Sequence, residues 1–409
     1  MTPFDPETTL SRAAHVLHSS CVPQGILASA NEGDNYRRVW ARDGIIAGLA
    51  GLLHADDLLI KHFAKTVDTL GAHQHASGII PSNVDLSFPA KVSYGSTAGR
   101  VDATSWWVVG ALLLLQRHPE ALVQADDTRA RVMQAMQVLE IWEMNHGDLL
   151  YTPIGGNWAD EYVIQGHTLY DNMLRLWGLR LAAAFFADDN GVRMKKAYRD
   201  KAKRVQEKVE INYLYTSHPG ATLYHAEAYR RIARDPGYLF ASVGPMGYDT
   251  RWDMAGNALA LLLGFTQKLD PTCGFLEKLA VELPNGLLPA FWPVITPSDP
   301  DWAFLANNYN YRFKNTPHHF HNGGSWPVFS GLMSLALAAN GKAEAAYDIY
   351  HNMAKALERE VPEGSFYEYF DTEEGAPHGM KQLCYSASGW LFADMAVRKP
   401  LHSLHELIP

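Results

Sequence analysis

The sequence has 409 residues, of which 47% are hydrophobic and 19% charged, and this composition excludes a disordered or low-complexity protein. Its net charge of −9, from 35 Lys and Arg against 44 Asp and Glu, argues against nucleic acid or an anionic membrane surface as a partner. The longest apolar run, 106–115, is too short to span a bilayer, no signal peptide is visible, and three widely separated cysteines suggest free thiols. We therefore expect a cytoplasmic globular protein, and a homo-oligomer is left open.

Hydrophobic periodicity predicts twelve helices of two alternating kinds. One kind is apolar nearly all round, as at 325–340, and should be buried on every side. The other has one apolar stripe and one charged face, as at 342–360. In chain order, beginning with an amphipathic helix and then alternating, the predicted helices are 8–19, 43–54, 56–71, 102–116, 127–144, 167–186, 193–210, 253–266, 272–282, 325–340, 342–360 and 384–397.

This alternation predicts an all-α fold, an (α/α)6 barrel in which six buried inner helices form a ring and six amphipathic helices surround it. Short connections make neighbouring helices antiparallel, so the six inner helices should all run in one direction. An open superhelical array is the alternative, but it needs a polar capping repeat that the end of the sequence lacks. We expect a single domain over residues 1–409. Gly44, Gly48 and Gly51 fall inside the first inner helix and indicate close helix packing rather than a phosphate-binding loop.

The segments that enter the inner helices hold an unusual concentration of carboxylates, aromatic residues and glycines. They are 36–43, 101–107, 155–162, 248–253, 318–327 and 366–371. If the inner helices are parallel, these segments meet at one end of the barrel. Aromatic faces stack on sugar rings, polar side chains bind the hydroxyls, and two carboxylates across a pocket can supply the acid and base for glycosidic cleavage. The sequence therefore predicts a pocket for a small saccharide.

Simpler explanations exist for single features of these segments. Asp43, Asp102 and Asp253 stand where helix N-caps belong, and capping alone would explain any one of them. Capping does not, however, require clustered Trp and Tyr in the same segments. The histidines within 318–321 lack a nearby Cys, an H-E-x-x-H motif or a carboxylate at ligand spacing, so we expect no metal site and no cofactor.

In these segments the sequence resembles the alkaline and neutral invertases and, more distantly, the trehalases and glycogen-debranching glucosidases with (α/α)6 barrels. The clearest match is HNGGSWPV at 321–328, and EYFD at 368–371 is similar to the Glu-Tyr-Tyr-Asp segment of these invertases. The other matching segments are Arg42-Asp43, Val101-Asp102 with Trp106-Trp107, and Asp249-Thr250-Arg251-Trp252 with Gly256-Asn257. The matches run in the same order from about residue 36 to residue 385.

The resemblance implies an inverting glycoside hydrolase with Asp160 as general acid and Glu368 as general base. In the invertases the acid Asp is followed by two Arg, Met and Gly, whereas Glu-Tyr-Val follows here, so the aglycone is open and Glu161 is the reserve acid. We expect burial against Trp158 to raise the pKa of Asp160. The residues expected to hold the sugar are Trp40, Arg42, Asp43, Asp102, Trp106, Trp158, Asp249, Arg251, His321, Asn322 and Trp326.

The sequence leaves the substrate and two other functions open. Sucrose is the first candidate among small α-glucosides, with trehalose, glucosylglycerate and short α-glucans as alternatives. A sugar epimerase on the same barrel would use a histidine pair and would survive loss of Glu368. A carbohydrate-binding protein without catalysis is the other alternative, and the carboxylate pair argues against it.

Overall fold

The computed structural model describes residues 5–31, 35–145, 147–186, 192–217, 222–360, 362, 364–399, 401 and 404–408. Within these ranges the α-helices are α1 (Pro6–Ser19), α2 (Ala41–His54), α3 (Asp57–Ala72), α4 (Val101–Arg117), α5 (Ala125–Ile141), α6 (Leu169–Phe185), α7 (Val192–Tyr213), α8 (Ala226–Arg230), α9 (Met254–Leu262), α10 (Leu269–Glu282), α11 (Trp302–Asn307), α12 (Pro327–Ala339), α13 (Ala343–Leu357), α14 (Cys384–Arg398) and α15 (Leu404–Leu407). Across the described residues, none of these helices combines the length and the apolar character needed to cross a bilayer.

Six helices form a closed inner ring. In order around the ring they are α2, α4, α6, α9, α12 and α14, each packed against the next, and α14 packs against α2 to complete the circle. They are buried nearly throughout, as in α4, where every residue from 101 to 115 is buried. The helices α1, α3, α5, α7 and α13 pack outside this ring, and α10 contributes a buried stripe that includes Leu276 and Leu279. The prediction of an (α/α)6 barrel is confirmed.

The predicted helix limits hold to within a few residues, with one larger difference. The fourth inner helix ends at Leu262, four residues before the predicted end. Gly264 then takes a positive φ of 88°, a conformation that glycine adopts without steric cost. A short 3₁₀ turn at Thr266–Lys268 follows, and α10 begins at Leu269 instead of 272.

Short antiparallel strands, which the periodicity does not predict, brace the loops at one end of the ring. They are β1 (Cys21–Val22), β2 (Gly25–Ile26), β3 (Val39–Trp40), β4 (Asn83–Asp85), β5 (Lys91–Ser93), β6 (His167–Thr168), β7 (Ser242–Gly244), β8 (Gly247–Asp249), β9 (Trp252–Asp253), β10 (Phe291–Trp292), β11 (Tyr369–Phe370) and β12 (Pro377–His378). Strands β3, β6 and β9 lead directly into the inner helices α2, α6 and α9. A bridge between Ser325 and Phe370 ties the segments that precede α12 and α14.

Glycines allow two pairs of helices to approach closely. On α2, Gly44, Gly48 and Gly51 lie against Thr66, Phe63 and Leu59 of α3, which confirms their role in helix packing. The inner helices α12 and α14 meet through Gly331 and Gly389. A Cβ on Gly331 would lie 1.9 Å from the carbonyl oxygen of Gly389, so the two backbones are in direct contact.

We predict that Gly331→Ala destabilises the protein by about 3 kcal/mol or more, because the added methyl group meets backbone that cannot move aside without separating two inner helices. Gly274→Ala in α10 is the matched control. A Cβ there meets nothing within 4 Å, so the substitution should be neutral or stabilising by up to about 1 kcal/mol. Thermal and urea unfolding measure both effects. Equal stability of the two variants would contradict this account of the contact between α12 and α14.

Candidate active site

A cavity of about 160 Å³ opens where several inner helices begin. Trp40, Arg100, Trp326 and Leu383 are the N-cap residues of α2, α4, α12 and α14, and all four line it. The N-termini of these helices therefore meet at one end of the barrel, as the parallel arrangement predicts. The predicted site residues that line the cavity are Trp40, Arg42, Asp43, Trp158, Asp160, His321, Trp326 and Glu368, together with the reserve acid Glu161.

Glu368 is held on one side of the cavity, directly before β11. Its side chain is only 7% exposed, and its Oε1 atom accepts a hydrogen bond of 2.6 Å from the Tyr36 hydroxyl. Burial raises the pKa of Glu368, although the Tyr36 hydrogen bond and the charge of Lys314 partly oppose this. Gly379, with a φ of 82°, passes so close that a Cβ there would lie 2.2 Å from Glu368 Oε2. The carboxyl group is thus fixed from two directions.

Asp160 is held by an ion pair. Arg100 donates a hydrogen bond of 2.5 Å from Nη2 to Asp160 Oδ2. Burial alone would raise the pKa of Asp160, but the charge of Arg100, with help from His321 and Arg42, outweighs it and the pKa lies below the usual value for Asp. The expectation that burial against Trp158 raises this pKa is therefore wrong, because it did not include Arg100.

The adjacent carboxyl group of Glu161 has different surroundings. Glu161 is 3% exposed, and its Oε1 atom accepts hydrogen bonds from Asn310 at 3.1 Å and from Lys314 at 3.2 Å. Within the described residues, its Oε2 atom is buried without a hydrogen-bond partner. Burial raises the pKa of Glu161 despite the nearby charge of Lys314. Two neighbouring carboxyl groups thus have pKa values shifted in opposite directions.

Charged groups form the base of the cavity at the start of α2. Arg42 Nη1 donates a hydrogen bond of 2.9 Å to Asp102 Oδ2, and the Arg42 guanidinium lies 5.6 Å from the ring centre of Tyr385. Burial raises the pKa of Asp43 beside it, although Arg42 opposes this rise. Arg42 is 20% exposed, so it can reach a hydroxyl group in the cavity while Asp102 holds it from below.

Aromatic rings form another part of the cavity lining. His321 stacks on Trp326 with ring centres 5.3 Å apart, and Trp158 meets both rings edge-on. Burial lowers the pKa of His321 to about 3, so the imidazole is neutral near pH 7. In contrast, His318 bonds to Thr372 and His319 packs beside His378. Of these histidines only His321 lines the cavity, which disfavours a histidine pair acting on a sugar bound there, as an epimerase would require.

The structure places the other predicted binding residues outside the cavity lining. Trp106 is fully buried and donates its indole hydrogen bond to Tyr170, because it lies deeper in α4 than the loop pattern suggested. Asn322 bonds to the backbone of Ile295 and Asn315 and holds its loop together. Asp102 also lies outside the lining, where it accepts the hydrogen bond that holds Arg42.

Asp249 and Arg251 lie in a neighbouring groove that Met246 and Phe304 also line. They bind each other through two hydrogen bonds between the guanidinium and the carboxylate, of 2.8 and 2.7 Å, and Arg251 also pairs with Asp301 at 3.1 Å.

Sequence reasoning missed several residues that line the cavity. They are Asn35, Tyr36, Arg100, Asn310, Tyr311, Lys314, Phe320, Leu383 and Tyr385. Tyr36 and Phe320 lie within the segments 36–43 and 318–327 that the sequence singled out, so their positions could have been found. Asn310, Tyr311 and Lys314 come from the connection between α11 and α12, and nothing in the sequence indicates where that connection packs. Among the described residues, no three His, Cys, Asp or Glu side chains are placed to hold a metal ion.

We predict that Tyr36→Phe raises the pKa of Glu368 by about one pH unit, because the hydrogen bond that stabilises its ionised form is lost. Carboxyl ¹³C NMR titration of wild type and variant measures the change. Tyr311→Phe is the control, since Tyr311 also lines the cavity but is 90% exposed. An unchanged titration in Tyr36→Phe would show that the phenol does not stabilise the carboxylate.

Comparison with known proteins gives one family. Residues 190–400, more than half of the chain, match the family described as alkaline and neutral invertase. Alkaline/neutral invertase C, mitochondrial, from Arabidopsis thaliana is 23% identical over 92% of this chain and 64% of its own length, so this chain spans less than two thirds of that relative. Cytosolic invertase 1 from Oryza sativa subsp. japonica is 23% identical over 98% of this chain and 80% of its own length.

Solved structures support the fold. A GH63 mannosylglycerate hydrolase from Thermus thermophilus in complex with glucose aligns with a TM-score of 0.64 and 14% identity, covering 94% of this chain and 99% of that chain. A wild-type glycosidase aligns with the same TM-score and identity and covers 100% of both chains. At this level of identity the likeness establishes the barrel alone.

Proposed function

Since the chain belongs to the alkaline and neutral invertase family of glycoside hydrolases, we propose that it is an inverting, exo-acting hydrolase of a small α-glucoside. The observation that carries the proposal is that Asp160 and Glu368 line one cavity together with Trp158 and Trp326. A sugar ring can stack on the aromatic wall while a carboxyl group reaches it from each side. The cavity is small, which favours release of one sugar from the end of a short substrate.

In the proposed mechanism Asp160 gives a proton to the glycosidic oxygen as the bond to the anomeric carbon breaks. Glu368 removes a proton from a water molecule, whose oxygen attacks the anomeric carbon from the opposite face. The product has inverted configuration, and the water requires the two carboxyl groups to be about 6.5–9.5 Å apart. Arg42, Asp43 and Trp326 would hold the sugar during the reaction, because they line the same cavity.

Sucrose is the first candidate substrate, because the relatives that cover most of this chain are named invertases. Trehalose, glucosylglycerate and short α-glucans are the alternatives. The residues beyond Asp160 on the leaving-group side differ from the invertase pattern, and Lys314 pairs there with Glu161. The choice among aglycones therefore depends on a part of the cavity that this chain builds in its own way.

We predict that the purified protein releases β-glucose from one of these four kinds of substrate. Early ¹H NMR spectra identify the anomer before mutarotation, and they name the substrate at the same time. Release of α-glucose would contradict inversion. Binding without turnover across the set would instead support a carbohydrate-binding protein, and a changed free sugar would support an epimerase.

The roles of Asp160, Glu368 and Glu161 can be distinguished with a substrate whose leaving group needs no proton donor. We predict that Asp160→Asn lowers the rate on the natural glycoside by about 10²–10⁴-fold, typical of losing a general acid, but hydrolyses α-glucosyl fluoride well, because fluoride leaves without protonation. Glu368→Gln should lose both activities, because water activation is needed for each. Glu161→Gln is the matched control. If Glu161→Gln lost activity on the glycoside but kept hydrolysis of α-glucosyl fluoride, and Asp160→Asn kept both activities, Glu161 would be the acid.

A further inference from the structure

Arg100 connects the predicted acid to the inner ring. It is the N-cap residue of α4, and its side chain is 10% exposed. Its Nη1 atom donates hydrogen bonds to the carbonyl oxygens of Gly155 at 2.6 Å and Asn157 at 3.0 Å, and its Nη2 atom bonds to Asp160. One guanidinium group therefore fixes both the backbone and the side chain of the acid-bearing loop.

The backbone supports the same attachment. The Val101 N–H, at the start of α4, donates a hydrogen bond of 2.7 Å to the carbonyl oxygen of Gly156. Asn157 Nδ2 donates to Asp171 Oδ2 at 2.9 Å, which joins the loop to α6 as well. The loop between residues 155 and 160 is thus held against two inner helices, with Arg100 as the contact nearest to the carboxyl group.

The contacts distinguish the two oxygens of Asp160. Within the described residues, the hydrogen bonds that reach this side chain come from Arg100 and, at 3.5 Å, from Asn310, and both go to Oδ2. The side chain is 24% exposed and lines the cavity, so Oδ1 is the oxygen left for a substrate.

On the basis of the proposed hydrolase function, we propose that Arg100 is the positioning residue of the proton donor: it holds Asp160 Oδ2, so that Oδ1 carries the proton and presents it to the glycosidic oxygen. As the proton leaves Oδ1 for the departing oxygen, the carboxyl group becomes negative 2.5 Å from a fixed guanidinium. This arrangement stabilises charge where it develops in the transition state. In the invertases two Arg follow the acid in sequence, whereas here a neighbouring inner helix places the guanidinium.

The other charged groups around Asp160 predict how its pH dependence will respond. Arg42 lies at the start of α2, and His321 is neutral near pH 7 because burial lowers its pKa. Glu161, on the same loop, is offset by Lys314. Arg100 therefore makes the largest charge contribution that lowers the pKa of Asp160. Removing its charge should move the pH limb that reports Asp160 to higher pH.

The test compares Arg100→Gln, Arg100→Lys and wild type on the glycoside that the NMR experiment identifies. Arg100→Gln should lower kcat by about 10²-fold with little change in KM, since the sugar is held by residues on other helices. The acidic limb of the pH profile should move to higher pH. This limb reports Asp160, because Asp160 is the stronger acid of the pair with Glu368. Arg100→Lys should recover part of kcat and have a smaller shift in pH. Hydrolysis of α-glucosyl fluoride should be nearly unchanged in both variants.

Arg180→Gln is the matched structural control. Arg180 is also partly buried on an inner helix and donates a hydrogen bond of 2.9 Å to a loop carbonyl, that of Leu263, but it lies in the C-terminal half of α6. It should lose thermal stability without a change in the pH profile or in the ratio of the two activities. If Arg100→Gln behaved like Arg180→Gln, Arg100 would be a structural residue and the inference would be overturned. Absence of hydrolysis by wild type would instead overturn the proposed function itself.

Discussion

The parallel arrangement of the inner helices is the constraint on which the site depends. Because α14 packs against α2 and closes the ring, loops can meet only at the two ends of the barrel. The helix N-termini then meet at one of these ends, where their dipoles favour negative charge. Asp43, Asp102 and Asp171 lie in the first turns of α2, α4 and α6, and each is almost fully buried. The fold thus supplies both the cavity and part of the field that allows carboxyl groups to be buried around it.

The carboxyl groups that line the cavity differ chiefly in the groups that contact them. Asp160 faces a guanidinium from α4, whereas Glu368 has a phenol and a glycine backbone beside it. Glu161 is contacted by the ammonium of Lys314 and accepts a hydrogen bond from the amide of Asn310. As a result the pKa of Asp160 is lowered, whereas burial raises the pKa values of Glu368 and Glu161. Because Glu368 then holds a proton more firmly than Asp160 in the empty cavity, the form with the proton on Asp160 is the less populated one. The proposed reaction proceeds through this form.

The sequence predicts the fold well because helix periodicity is a local property. A helix buried on all sides, such as α12, differs in composition from one with a wet face, such as α13, and twelve such segments leave few architectures. The same local reasoning places Asp160, Glu368 and His321 near one mouth. It could not place Lys314 or Arg100, because each lies in or after a long connection whose packing depends on contacts between distant segments. For the same reason it could not predict the direction of the pKa shift of Asp160.

The backbone contact between Gly331 and Gly389 has a consequence for how the substrate range of such a barrel can change. It joins α12, which follows Trp326, to α14, which follows the Glu368 segment, with no side chain between them that could adjust the spacing. The segments that carry Trp326 and Glu368, the proposed base, therefore form one half of the cavity lining, and main-chain contact sets the dimensions of this half. The half that carries Asp160 is joined to the connection around Asn310 and Lys314 through side chains. In terms of the proposed mechanism, engineering a different leaving group would mean exchanging that connection while the half with Trp326 and Glu368 is kept intact.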